Sequence, residues 1–99
     1  MVLLQGLHRE SFALERRDGA VLALYLKDHP EVAAGRTVLD FGAGSGLVGI
    51  AAAKAGASEV LAIEPDPVAR VALRLNAEAN DVALTLWTGA DQPDVDVVL

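Results

Sequence analysis

An acidic residue followed by glycines at alternate positions, Asp40-Phe41-Gly42-Ala43-Gly44-Ser45-Gly46, is the segment of this chain best suited to hold a ligand. Glycine adopts positive φ without steric cost and lets a ligand approach the main chain closely. A tight turn needs fewer glycines than this, so the pattern predicts more than a change of direction. The amides of such a bend, with the N-terminus of a following helix, would suit electron-rich ligand groups. Glu64 is the second candidate, at the end of a later apolar run. A carboxylate placed there can accept hydrogen bonds from both hydroxyls of a ribose.

Two nucleosidic ligands fit this much. Gly44-Ser45-Gly46-Leu47-Val48-Gly49 satisfies the G-x-G-x-x-G pattern of nicotinamide dinucleotide sites, and Glu64 stands at a suitable distance downstream. That fingerprint starts straight after an apolar strand, however, whereas here Asp40 comes before the bend and Gly42 already opens it. Pro65-Asp66-Pro67 is also unlike its usual sequel. Other chemistry is poorly supported. Ser45 has alanine and leucine at positions 43 and 47, so it is not in a nucleophile elbow. Lys54 lacks a phosphate-loop spacing before it. His8 and His29 have no partners at metal-ligand spacing and read as surface or turn residues, so no metal site is expected. Arg70 and Arg74, one helical turn apart, read as a solvated face.

The elements that must position these residues follow from the hydrophobic pattern. Residues 8 to 18 are mixed and charge-rich, a loop or a frayed helix. A helix begins at Gly19, apolar nearly all round, with Tyr25 and Leu26 as core, and Asp28-His29-Pro30 stops it. A connector with a short helical turn, closed by Gly35, leads to the first strand, Thr37 to Phe41. After the glycine bend a second helix covers Leu47 to Ala55, with Gly56 as its left-handed cap. Glu59 to Glu64 is the second strand. Asp66 caps a third helix from Pro67 to about Ala79, with Val68, Val71, Ala72 and Leu75 on one face. Val82 to Trp87 and Val95 to Leu99 are the third and fourth strands, joined by the loop Thr88 to Pro93. Alternating strands and helices predict a parallel sheet with right-handed crossovers. The last loop would carry the chain across to the far side of the first strand, giving the order third, second, first, fourth. The fourth strand would then leave an exposed apolar edge that favours self-association.

Composition narrows the class. Ninety-nine residues suffice for one small domain, and a 53% hydrophobic fraction can build its core. A net charge of −6 disfavours phosphate backbones, so no nucleic-acid partner is expected. The absence of cysteine removes disulfides, thiolate catalysis and thiolate zinc sites. The first residues are too short a run for a signal sequence, and no stretch approaches the roughly 18 apolar residues of a membrane span. A soluble, cytoplasmic chain is the expectation, with no membrane contact and an oligomeric state left open.

The segment Val38 to Leu47 resembles motif I of class I S-adenosylmethionine-dependent methyltransferases. With Gly49-Ile50-Ala51-Ala52, Glu64-Pro65-Asp66-Pro67 and Leu75-Asn76-Ala77-Glu78-Ala79-Asn80, it is similar to a narrower group. That is the family-16-like group containing the lysine methyltransferases of the electron transfer flavoprotein beta subunit, together with bacterial nicotinamide N-methylase-like proteins. Ribosomal-protein methyltransferases are near relatives. The resemblance covers residues 19 to 99 and implies a Rossmann-like α/β three-layer sandwich, present here without strands five to seven. Residues 1–18 would be a poorly defined extension and 19–99 the cofactor-binding part. It further implies S-adenosylmethionine as cofactor and methyl transfer to an amine, a protein lysine or a small molecule. Asp40, Gly42, Gly44 and Gly46 would surround the methionine part, Glu64 would hold the ribose, and Asp66 would lie at the adenine rim. Asp91, with Trp87 or Thr88 nearby, is the candidate for the adenine amino group. Two departures are visible. A single glycine, Gly19, follows Glu15-Arg16-Arg17-Asp18 where the group has a Trp- and Pro-containing stretch ending in paired glycines. The acceptor-facing segment is expected after the fourth strand, beyond Leu99, so no residue is assigned to catalysis. A nicotinamide-dependent oxidoreductase, or a short product without catalysis of its own, are the alternative readings.

Overall fold

The computed structural model describes residues 12–13, 18–91 and 93–99. Strands β1 (Phe12–Ala13), β2 (Thr37–Phe41), β3 (Glu59–Ile63), β4 (Thr85–Leu86) and β5 (Val97–Val98) form one parallel sheet in the order β1-β5-β2-β3-β4. Helices α1 (Gly19–Asp28), α2 (Leu47–Lys54) and α3 (Pro67–Ala79) accompany it, with a 3₁₀ turn at Pro30–Val32.

Each helix has identifiable ends. Asp18 caps α1 by accepting from the Ala20 amide at 2.9 Å, and Pro30 follows its C-cap. Asp66 does the same for α3 through the Val68 amide at 3.0 Å, with Pro67 first in the helix, where its missing N–H costs nothing. Beyond α2, Gly56 adopts φ +101°, the left-handed geometry of a helix C-terminus.

The expected order third, second, first, fourth corresponds to β4-β3-β2-β5. One strand is added. Phe12–Ala13, within a segment read as loop or frayed helix, pairs with Val97 and Val98 and covers the edge that β5 would otherwise expose. The bare apolar edge expected there is therefore corrected. His8 and the remainder of residues 1–11 and 14–17 lie outside the described residues. Strands β4 and β5 are shorter than the hydrophobic runs implied, because only Thr85 and Leu86, and Val97 and Val98, stand in register with a neighbouring strand.

Strand side chains alternate between faces. Val38, Val60 and Val97 point to α1 and α2, packing with Leu22, Leu26, Val48 and Ala52. Ala62, on the same face, meets Leu73 of α3. All three helices thus lie on one side, as successive right-handed crossovers in one direction require. Leu39, Leu61 and Val98 face the other way and pack with Val95 and Trp87, from the connection between β4 and β5. Where the sequence suggested a third layer of helices, this cluster contains no residue of a described helix.

One expectation about burial is corrected, and the rotation of α3 is fixed. Tyr25, read as core, is 45% exposed, because the sheet-facing stripe of α1 is Leu22 and Leu26. In α3 the buried residues are Leu73 and Ala77, while Val68, Val71 and Leu75 are exposed.

Candidate functional site

The ends of β2, β3 and β4 lie along one edge of the sheet, and the glycine bend follows β2 there. Gly42, Gly44 and Gly46 have φ of +72°, +56° and +94°, values that residues with a β-carbon seldom adopt. A β-carbon on Gly42 or Gly44 would meet nothing within 4 Å, so the space above the bend is open to a ligand. At Gly46 it would press on Leu73 Cγ at 3.2 Å, because α3 packs directly beneath.

Four amides of the bend are already engaged. Those of Gly42 and Ala43 donate to the Ile63 carbonyl at 2.9 and 3.0 Å, and that of Gly46 to the Ala43 carbonyl at 2.9 Å. The Gly44 amide donates to Glu64 Oε1 at 2.7 Å. The Gly49 amide, in the first turn of α2, donates to Asp40 Oδ2 at 3.0 Å. Gly46 at the helix N-cap has no side chain to offer, so Asp40 at the end of β2 substitutes as the cap. An array of amides ready for an electron-rich group was expected; two of its donors face carboxylates instead.

These contacts define what each expected residue does in the structure. Asp40 is fully buried, so it presents no surface to a ligand and shapes the bend from beneath. Glu64 lies just past β3, half-buried, with its second oxygen accepting from the Asp66 amide at 2.8 Å. Glu64, Gly44 and Asp66 are therefore brought together. Asp66 also spends Oδ1 on the α3 cap, leaving it at the exposed rim. Asp91 is exposed in the loop after β4. Its carbonyl accepts from Trp87 Nε1 at 2.7 Å, which folds that loop back over the indole.

Two further side chains bear on the site. Arg70, read as part of a solvated face, is half-buried and donates Nε to the Glu64 carbonyl, fixing the main chain at that carboxylate. Asn76 Nδ2 donates to the Ser45 carbonyl at 2.9 Å. Helical periodicity places both on α3 but says nothing of what lies opposite. The described residues hold no group of three or more metal-ligating side chains, and no described helix is long and apolar enough to cross a membrane. An apolar groove of about 660 Å³ between α1 and α2 is lined by residues such as Leu24, Leu47 and Ala51 and lies away from Glu64.

Comparison with known proteins gives this geometry a context. The sequence profile of the ribosomal protein L11 methyltransferases (PrmA) matches residues 18–99. An electron transfer flavoprotein beta subunit lysine methyltransferase of Danio rerio is 51% identical over 65 residues, which are 66% of this chain and 25% of that protein. A ribosomal protein L11 methyltransferase of Aeromonas hydrophila is 54% identical over 71 residues, 67% of this chain and 24% of its own length. The chain thus spans about a quarter of these relatives. Among solved structures, a T. thermophilus 16S rRNA N2 G1207 methyltransferase in complex with AdoMet and guanosine superimposes with a TM-score of 0.69 at 28% identity. That match covers 86% of this chain and 25% of the other.

Proposed function

The chain belongs to the ribosomal protein L11 methyltransferase (PrmA) family, and from that premise we propose that its glycine bend and Glu64 hold S-adenosylmethionine for methyl transfer to an amine. When bound, this cofactor supplies an electrophilic methyl group on a sulfonium. The observation that carries the reading is the open main chain at Gly42 and Gly44 beside Glu64, which holds the Gly44 amide while buried Asp40 holds the Gly49 amide of α2. A dinucleotide would bring a pyrophosphate to that place. Like charges about 4 Å apart repel by about 4 kcal/mol at an effective dielectric of about 20. A cationic sulfonium and a neutral ribose meet no such opposition. The match of residues 18–99 to a methyltransferase family stands against the oxidoreductase reading.

In this reading the open main chain at Gly42 and Gly44 lies along the methionine part of the ligand, and Glu64 accepts from the ribose hydroxyls with the lone pairs that the two amides leave. Asp40 sets the bend from below. Asp66 and Asp91 border the adenine. The protein's contribution is alignment of donor and acceptor. For the acceptor we favour a protein lysine, in keeping with the name of the Danio rerio relative and with a net charge of −6 that disfavours an RNA backbone. An acceptor lysine must shed a proton first, its ordinary pKa being about 10.4.

Isothermal titration calorimetry tests the cofactor. S-adenosylhomocysteine should bind and NAD should not; binding of NAD alone would reverse the proposal. Glu64→Ala should weaken S-adenosylhomocysteine by about tenfold to a hundredfold, the range for charge-assisted hydrogen bonds. An unchanged affinity would remove Glu64 from the site.

A further inference from the structure

The glycine bend is gripped from outside at two adjacent residues. Glu64 accepts from the Gly44 amide at 2.7 Å, and Asn76 donates to the Ser45 carbonyl at 2.9 Å. Both grips come from the α3 side, Glu64 just before the helix cap and Asn76 late in the helix. Leu73, one turn before Asn76, is 1% exposed and packs where a β-carbon on Gly46 would fall. The helix is therefore fixed against the bend at the point from which Asn76 reaches out.

Such support answers a specific weakness. The glycines that allow φ of +72°, +56° and +94° also leave the free segment many alternative conformations. If the bend were loose, a ligand would have to order it on binding and would lose affinity accordingly. We infer that Asn76 is a positioning residue for the cofactor: by tying Ser45 to α3 it holds the bend in its ligand-accepting shape without touching the ligand. The inference rests on the cofactor reading above.

The neighbouring polar contacts supply a control. Asn80 Nδ2 donates to the Asn76 carbonyl at 2.8 Å, and Lys54 Nζ donates to Asn80 Oδ1 at 2.8 Å. These bonds tie the end of α2 to the end of α3 and make no contact with the bend. Asn80→Ala therefore loosens the helices while leaving Ser45 held.

Calorimetry with S-adenosylhomocysteine, thermal melting, and NMR amide exchange at Gly44 and Gly46 test this in the whole chain. Asn76→Ala should weaken binding about threefold to tenfold, the scale of one neutral hydrogen bond, and should speed exchange at both glycines. Asn76→Asp, which keeps the shape and loses the donor, should do the same if the alanine variant fails to fold. Asn80→Ala should lower the melting temperature without weakening the ligand. The positioning role is overturned if the Asn76 variants bind like wild type, or if Asn80→Ala weakens binding as much as they do. A wild-type chain with protected bend amides and no affinity for S-adenosylhomocysteine would instead remove the cofactor reading, and this role with it.

Discussion

A β-carbon on Gly49 would lie 2.9 Å from Asp40 Oδ2, too close for either atom to remain in place. In an ordinary helix interior, alanine is about 1 kcal/mol better than glycine. Here overpacking costs about 1–3 kcal/mol, so Gly49→Ala should be net destabilising. Asp40→Ala should also destabilise, by about 1–3 kcal/mol, because the buried Gly49 amide loses its acceptor. The pair must be strongly non-additive. Once Asp40 is alanine the obstructing oxygen is gone, and Gly49→Ala becomes neutral or stabilising in that background. Urea denaturation of both single variants and the double variant measures this, and simple additivity would contradict the account of Asp40 as the cap of α2. The sequence made Asp40 and its glycines conspicuous as a unit. It could not tell a residue that lines the ligand from one that supports the lining, because both readings need an acid at the strand end. Burial separates them. Arg70 and Asn76 were illegible for a related reason: their partners are main-chain oxygens of Glu64 and Ser45, which leave no side-chain signature.

Helix α3 shows the same limit one level up. Its bounds, its Asp66 cap and its Pro67 start all follow from local chemistry, and the structure has them at those residues. Its buried face does not follow. Val68, Val71 and Leu75 make the more hydrophobic stripe, yet Val68 is 77% and Leu75 61% exposed. The sheet side is formed by Leu73 and Ala77, with half-buried Ala69 beside them. Alanine contributes little to a hydrophobic stripe, but it allows a helix to approach the sheet closely, and that approach sets the rotation of α3. Leu73→Ala should consequently cost about 2–5 kcal/mol. Leu75→Ala should remain within about 0.5 kcal/mol of wild type. Equal losses in thermal or chemical melts would mean that α3 sits on the sheet by its other stripe. The sheet order, by contrast, was readable, since short connections and parallel crossovers admit few alternatives. Strand β1 escaped notice because two residues paired to an edge carry no periodicity.

Across the whole molecule, the question is what keeps separate copies apart. Pairing of β1 with β5 leaves the two-residue strands β1 and β4 outermost, and edge strands this short offer little to pair with. Apolar side chains remain on the helical surface instead: Val21, Leu24, Leu47, Val68, Val71 and Leu75 are each more than half exposed. A net charge of −6 opposes their contact near pH 7, and the isoelectric point of about 4.6 marks where that repulsion vanishes. Proteins lose colloidal stability as their net charge approaches zero. The chain should therefore scatter little light near pH 7 and increasingly more as the pH is lowered toward 4.6. Salt should act in the same direction at neutral pH, since about 0.15 M shortens the screening length to about 8 Å. Replacing Leu24 and Leu75 with lysine would separate the two contributions. Each change removes an exposed apolar side chain but also cancels one negative charge, so patch-driven association predicts less scattering than wild type and charge-limited association predicts more. If scattering fell as the pH approached 4.6, neither the patches nor the charge would be governing association, and contacts through the sheet would have to be reconsidered.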